Sequence, residues 1–209
     1  MFPFPIATPQ GCNIQTFYGT ENAVAAQTFT WNKPVGVSHV YMMLIGGGSN
    51  GGINPGSSGA VTVWYGAAQH VPDSLVLNPS IPAANTVVYY RGTLLVALLT
   101  ASGAIGTTGG LATTAGPFAA SGFYKSTAGQ NAGSSGITPS TTTFLSGGAT
   151  NSVTANYGYE VKTTSAGFFL MQPIIVGSGG SSTRNGGIGC GGGLTSGKGG
   201  PGMVLIASW

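Results

Sequence analysis

The chain has 209 residues, of which 38 are glycine and only 4% are charged, with a formal net charge of +3. Since an ordinary domain carries about a quarter charged residues, the polar surface must consist of Ser, Thr, Asn, Gln and backbone. This composition excludes classical disorder, which combines low hydrophobicity with high net charge. The cations are scattered, whereas phosphate backbones are bound by clustered Lys and Arg, so we expect no direct binding to nucleic acid.

The first ten residues alternate apolar side chains with prolines. Proline fixes its own φ angle and pushes the preceding residue towards extended backbone. The sequence therefore predicts an extended arm over residues 1–27, which either docks on a neighbouring subunit or remains free. The stretch has no positively charged leader and no uninterrupted apolar core, so it is not predicted to be a signal peptide. The candidate docking side chains are Phe2, Phe4 and Ile6.

Short apolar or alternating segments bounded by glycine, proline or asparagine predict strands along the rest of the chain. The predicted strands are 28–31, 37–45, 60–65, 75–77, 86–90, 93–100, 157–161, 168–171, 174–176 and 203–207. Segments 86–90 and 93–100 are predicted to form a hairpin, although the second could also form one or two helical turns. Residues 101–155 are rich in Gly, Ala, Ser and Thr, which predicts loops with short strands.

Turn signals recur about every ten residues, and no convincing amphipathic helix is present. This pattern predicts a single all-β domain over residues 28–209. The expected architecture is an antiparallel sandwich or barrel of jelly-roll-like form. The longest apolar runs are too short to span a bilayer.

Two glycine-rich blocks, 46–59 and 177–202, interrupt the strand pattern. A helix is excluded there, because each interior glycine costs about 1 kcal/mol relative to alanine. Glycine could serve in extended segments stacked closely on one another, or in tight turns that need a positive φ. The second block leads directly into the apolar strand 203–207 and Trp209.

Two segments match nucleotide-binding motifs in spacing but lack the sequence context that these motifs require. Residues 192–198 have the spacing of a phosphate-binding loop, but Gly199 replaces the Ser or Thr that would hold magnesium. Residues 187–192 match G-x-G-x-x-G, which is expected by chance in so glycine-rich a block. We therefore predict no cofactor.

Candidates for catalysis or metal binding are equally weak. His70, Asp73 and Ser74 are neighbours in sequence, but triad members normally meet in the fold, so a surface turn is predicted instead. The two histidines are far apart and the two cysteines are far apart, which gives no metal-ligand spacing. Cys12 and Cys190 could form one disulfide or remain unpaired, and the sequence leaves both options open.

The aromatic residues are the remaining candidates for contact with sugars or partner subunits. Surfaces rich in Tyr, Ser, Gly and Asn make adaptable contact sites. The alternative for most of these rings is packing in the core. The candidate interface or glycan-contact residues are Trp31, Trp64, Tyr65, Tyr89, Tyr90, Tyr157, Tyr159 and Trp209.

Two stretches resemble the glycine-rich domains of phage tail-fibre and related virion proteins. The first reads FTWNKPVGVSHVYMMLIGGG over residues 29–48 and resembles the Phe-x-x-Pro-x-Gly-Val entry of that family, which leads into a strand and then polyglycine. The second reads GKGGPGMVLIASW over residues 197–209, with a final glycine block, an alternating strand and a closing Trp. The resemblance implies a non-enzymatic structural protein, often oligomeric, at the host-contacting end of a virion.

The sequence thus favours a virion protein of tail-fibre or receptor-binding type. Its expected partners are copies of itself in a homo-oligomer such as a trimer, other virion proteins and a host surface glycan. An alternative is a capsid shell or head-decoration protein, which the arm and the low charge favour. A third reading is a secreted glycan-active enzyme, in which Asp73 would have to meet Glu21 or Glu160 in one cleft.

Overall fold

The computed structural model describes residues 13–21, 27–91, 96–114, 116–132 and 183–209. These ranges contain nine strands, and their helical structure consists of two short 3₁₀ turns, Ala68–His70 and Pro117–Ser121. The strands are β1 Asn13–Tyr18, β2 Phe29–Asn32, β3 His39–Ile45, β4 Val61–Ala67, β5 Ser74–Asn78, β6 Thr86–Tyr90, β7 Val96–Ala101, β8 Gly122–Thr127 and β9 Met203–Ser208.

The strands form two open antiparallel sheets. A five-stranded sheet has the order β1-β9-β3-β4-β8, and a four-stranded sheet has the order β2-β5-β6-β7. The sheets pack on each other around a shared core, so the prediction of an all-β fold is confirmed in its sandwich form. The predicted hairpin is also confirmed, because β6 and β7 pair directly.

The first strand corrects the predicted arm. Residues 13–18 form β1, which pairs with β9 from Asn13 opposite Ser208 to Tyr18 opposite Met203. The prediction of an extended arm over residues 1–27 is therefore wrong for residues 13–18. The partner strand lies at the other end of the sequence, so no local pattern reveals the pairing. The proposed docking side chains Phe2, Phe4 and Ile6, and the strands predicted between residues 157 and 176, lie outside the described residues.

The main core lies between the two sheets. Trp31, Leu44, Trp64, Leu75 and Ile206 are almost completely buried there. Burying each large apolar side chain stabilises the fold by about 1.5–3 kcal/mol. The Trp64 indole also donates a hydrogen bond of 2.8 Å to a backbone carbonyl of the 3₁₀ turn Pro117–Ser121. The core thus depends on interlocking side chains.

A second cluster covers the outer face of the five-stranded sheet at one end. It contains Met43 and Ile45 from β3 and Leu205 from β9, with Cys190 and Ile188 packed over them. Strand β9 is therefore buried on both faces. This explains why residues 203–207 are continuously apolar, since alternation is lost when neither face meets water.

The sandwich has two distinct ends. We call the glycine pole the end at which β3 ends and β4 and β9 begin, because glycine-rich segments continue each of these strands there. The opposite pole is the end at which β3 begins and β4 and β9 end. The four-stranded sheet shares these two ends. Thr86 at the start of β6 donates a hydrogen bond to the carbonyl of Ile45 at the end of β3 (2.6 Å), so β6 begins at the glycine pole.

Backbone hydrogen bonds at the glycine pole follow a threefold pattern. The successive amides of residues 46–48 donate to three different segments, at the carbonyls of Ala60 (2.9 Å), Ala84 (3.0 Å) and Gly200 (2.9 Å). In a β-strand, successive amides alternate between two sides. A polyproline II helix has about three residues per turn, so its amides point in three directions. Residues 46–48 therefore have polyproline II-like geometry.

The same period appears in the segment that returns to β4. The amides of residues 56 and 59 donate to residues 192 and 189, those of 57 and 60 donate to 106 and 102, and that of 58 donates to 130. Each segment is thus bonded to several neighbours around its axis. We call this array of segments, residues 46–60, 102–110, 129–130 and 186–202, the glycine lattice.

Close backbone approach is the main reason for glycine in the lattice. A Cβ atom at Gly48 would overlap the carbonyl group of Cys190, and similar overlaps with backbone occur at many lattice glycines. Among the described glycines, a positive φ occurs at Gly36, Gly106 and Gly189. Of the two roles left open by the sequence, stacking of extended segments therefore predominates.

Candidate functional site

Three loops close the glycine lattice at its outer end, residues 51–55, 105–108 and 194–197. None of the three contains an acidic, basic or histidine residue. Ile53 is 95% exposed and Ile105 is 80% exposed. These loops present isolated apolar side chains among hydroxyl and amide groups, and they are the candidate functional site of the described residues.

The loops are fixed to one another through the backbone. Gly51 donates to the carbonyl of Gly197 (2.7 Å), and Thr195 donates to the carbonyl of Gly52 (2.8 Å), which joins loop 51–55 to loop 194–197. Such mutual bonding holds exposed loops in a defined arrangement, as a contact surface requires.

Buried serines hold the third loop. The Ser57 hydroxyl donates to the carbonyl of Thr108 (2.6 Å), and the Ser49 hydroxyl lies against the carbonyl of Gly106 in the same loop. Both serines are buried, so their hydroxyl groups find hydrogen-bond partners in the backbone carbonyls of this loop.

Backbone strain is concentrated in loop 194–197. Thr195 has φ of 72° and Ser196 has φ of 133°, both in the region that side-chain-bearing residues rarely adopt. Left-handed backbone costs an L-residue about 1–2 kcal/mol, and residues held in such conformations cluster at functional sites. These two residues at an exposed turn therefore mark loop 194–197 as part of the candidate site.

The side chains of these loops are suited to binding another surface. Their side chains offer hydroxyl, amide and aliphatic groups, which can bind a polar or mixed surface but cannot transfer protons at neutral pH. Across the described ranges, no three His, Cys, Asp or Glu side chains lie close enough to hold a metal ion.

The predicted aromatic contact residues differ in their exposure to solvent. Trp31 and Trp64 are 1% and 0% exposed, so the expectation that they contact a partner or sugar is wrong, and they pack in the core. Trp31 alternates with the exposed Thr30 and Asn32 on β2, and Trp64 alternates with the half-buried Val63 and Tyr65 on β4, so both indoles point into the sandwich. Tyr89 is half-buried and Tyr90 is exposed. Tyr157 and Tyr159 lie outside the described residues.

Tyr65 and Trp209 form an aromatic cluster at the opposite pole. Their ring centroids are 6.0 Å apart with planes at 9°, and each ring also stacks with His39. All three residues are half-buried. His39 is thus part of a ring stack, in keeping with its prediction as a structural histidine.

The triad-like sequence forms no triad. Asp73 pairs with Lys33 (2.9 Å), and Ser74 donates a hydrogen bond to Asn32 (3.0 Å). The His70 ring lies 3.5 Å from the side-chain amide of Gln69. The residues lie at the turn before β5, as the sequence predicts, and the arrangement lacks the nucleophile–base contact that covalent catalysis requires.

The phosphate-loop-like stretch is built into the lattice. The amides of Gly192 and Gly193 donate to the carbonyls of Ser49 and Arg184, so these two donors are already used within the fold. A phosphate-binding loop needs its amides directed at the ligand. Cys190 is buried against the outer face of the five-stranded sheet, and Cys12 lies outside the described residues.

Sequence reasoning missed the exposed loops as a site. The signal is present at Ile53, a large aliphatic residue inside a run of Gly, Asn and Pro, where nothing apolar is needed for a turn. The strained backbone of Thr195 has no sequence signature.

Neither a scan against protein-family models nor a search of curated proteins finds a match for this chain. Within the described ranges, no helix has the length and apolar character required to cross a membrane.

Proposed function

We propose that this chain is a non-enzymatic virion structural protein of tail-fibre or receptor-binding type, with the three lattice loops as its host-contacting surface. The observation that carries this function is the glycine lattice itself. It is an ordered array whose outer end presents exposed loops, and its interior is built mainly by close packing of backbone segments.

The lattice suits a contact role because its loops can vary without disturbing its interior. Stacking depends on backbone approach at residues such as Gly48, whereas Ile53 and Ile105 project into solvent. Exposed aliphatic groups on a rigid support provide contact area at low cost in conformational entropy. A homo-oligomer, such as a trimer, would multiply weak contacts through avidity.

A capsid shell or head-decoration protein is the second candidate. Exposed apolar residues also occur on the outer strands of both sheets, at Ile14 in β1, Phe123 in β8 and Val96 in β7. Edge strands carry unpaired backbone groups that can pair with another chain, which would suit a lattice of subunits.

The first experiment is the assembly state of the full chain, measured by light scattering and negative-stain microscopy. Trimers or other small oligomers support the tail-fibre type. Closed shells or extended sheets would overturn it in favour of the second candidate.

The second experiment tests the contact surface with Ile53→Asn. Binding to surface preparations from a panel of bacteria should weaken several-fold for this variant. The matched control is Val35→Asn, because Val35 is a 99% exposed aliphatic residue in the turn before β3, at the opposite pole. Equal binding by the two variants, or loss in both, would overturn the assignment of the loops.

A further inference from the structure

A polar cleft lies at the opposite pole, away from the lattice loops. It has a volume of about 590 Å³ and lies where β2 and β6 end and β5 begins. Its walls include His70, Asp73, Tyr90 and Arg91. This volume falls in the range of small-molecule sites.

Charge is concentrated in this cleft to an unusual degree. The whole chain has six basic and three acidic residues, and Lys33, Asp73 and Arg91 all line this one cavity. His70, one of two histidines, lines it as well. In a protein that uses so little charge, such a cluster calls for a physical reason.

Lys33 accounts for part of the cluster as a structural group. Its ammonium group donates to the carbonyls of Ala68 (3.2 Å) and Val71 (2.7 Å) and pairs with the Asp73 carboxylate (2.9 Å). An ammonium group has three donors, so these contacts use all of them. Lys33 thus fixes the turn that forms one wall, and its charge is balanced by Asp73.

Arg91 remains as the uncompensated charge. It is exposed, and within the described ranges its polar contact is the Ser74 hydroxyl at 3.4 Å. The guanidinium group has five donors in a planar fork that matches carboxylate and phosphate oxygens. Ser74 is itself oriented by Asn32 (3.0 Å), so one side of the guanidinium is held while the other is open to a ligand.

The other walls offer groups that suit a sugar. The Tyr90 ring is 46% exposed beside Arg91 and provides an apolar face. The Asp73 carboxylate keeps most of its surface in solvent and can accept hydrogen bonds from hydroxyl groups, and the Gln69 amide can both donate and accept. A ligand with one anionic group, several hydroxyls and an apolar face is complementary to this combination.

We propose that this cleft binds a sugar that carries one anionic group, a carboxylate or a phosphate, with Arg91 holding the acidic group and the Tyr90 ring packing against the sugar. The site goes beyond the host contact proposed for the lattice loops, since it lies at the other pole and functions without them.

The test is titration of the full chain by calorimetry at low salt with four probes: glucuronic acid, glucose 6-phosphate, glucose and inorganic phosphate. At least one of the two anionic sugars should bind at least tenfold more tightly than glucose, and which one binds identifies the acidic group. Equal binding of all three sugars would overturn the role of Arg91. Inorganic phosphate binding as tightly as the anionic sugars would overturn the role of the sugar.

Variants separate the contributions of the two side chains. Arg91→Gln should abolish the preference for the anionic sugar, and Arg184→Gln, which removes an exposed cation at the glycine pole, should leave it unchanged. Loss in both variants would overturn the site, because it would indicate a general charge effect. Tyr90→Leu should weaken the anionic sugar several-fold, and unchanged affinity would contradict the packing contact. Thermal unfolding of each variant verifies that it is folded.

Discussion

The sandwich and the glycine lattice solve the same packing problem in opposite ways. In the sandwich, large side chains such as Trp31 and Leu75 fill the space between sheets. In the lattice, segments approach so closely that a single methyl group at Gly48 has no room. The sandwich is stabilised mainly by buried apolar surface, and the lattice mainly by backbone hydrogen bonds among glycine-rich segments. The two regions should therefore respond to opposite kinds of substitution, removal of atoms in one and addition of atoms in the other.

Removal of atoms from the sandwich should have the largest effect. Trp64→Ala leaves a cavity and removes the indole hydrogen bond to the Phe118 carbonyl, so we expect a loss of about 3–5 kcal/mol in the free energy of unfolding. Phe123→Ala, at a mostly exposed position on β8, should cost less than about 1 kcal/mol. Urea denaturation measures both, and similar losses would contradict the assignment of Trp64 to the core.

Addition of one methyl group should damage the lattice. Gly48→Ala places a Cβ against the backbone of Cys190, and we expect a loss of about 2–3 kcal/mol from overpacking. Gly52→Ala is the matched control, because nothing lies within 4 Å of its Cβ position. The control should be neutral or slightly stabilising, since alanine restricts the unfolded chain. If both variants had the same stability, the stacked lattice would be refuted.

One hydroxyl group links the two sheets at the glycine pole. The buried Thr86 side chain donates to the carbonyl of Ile45 (2.6 Å) and accepts from the amide of Ser80 (3.0 Å). Thr86→Val leaves both partners unsatisfied at nearly constant volume, so we expect a loss of about 1–3 kcal/mol. Thr30→Val, at an exposed position of β2, should change stability by less than about 0.5 kcal/mol. An equally small effect at Thr86 would show that the two sheets do not need this link.

The smallest effect should have the opposite sign. Thr195→Gly relieves left-handed strain, and we expect a gain of up to about 1 kcal/mol after the larger entropy of the unfolded chain is included. Thr107→Gly, in the neighbouring exposed loop without a positive φ, should instead lose about 0.5–1 kcal/mol. A loss at Thr195 would mean that its backbone is not strained in solution.

The strands were largely predictable because their signals are local. Alternation at residues 28–31, the largely apolar segment 37–45 and the continuous apolar run 203–207 correspond to β2, β3 and β9. Strand β1 was hidden, because its sequence is mixed and its partner lies far away in the chain. The division of the strands between two sheets was not predictable either, since it depends on non-local pairing.

The lattice and the cleft differ in how far the sequence reveals them. Glycine content indicated close approach or turns, but the choice between them depends on which carbonyl lies opposite each glycine, as at Gly48 and Cys190. The cleft combines Lys33, Asp73 and Arg91, which are separated in sequence and meet only because β2, β5 and β6 are neighbours in one sheet. Composition showed that charged residues are rare, and only the fold shows that three of them line one cleft.

The threefold hydrogen bonding has a spectroscopic consequence. Polyproline II is also a major conformation of unfolded chains, so far-UV circular dichroism would register much of the glycine pole as unordered. Amide hydrogen exchange would give the opposite result, because the amides of residues 46–48 are bonded and buried and should be strongly protected. A region that looks like coil to one method and like core to another is what a folded polyglycine array should produce.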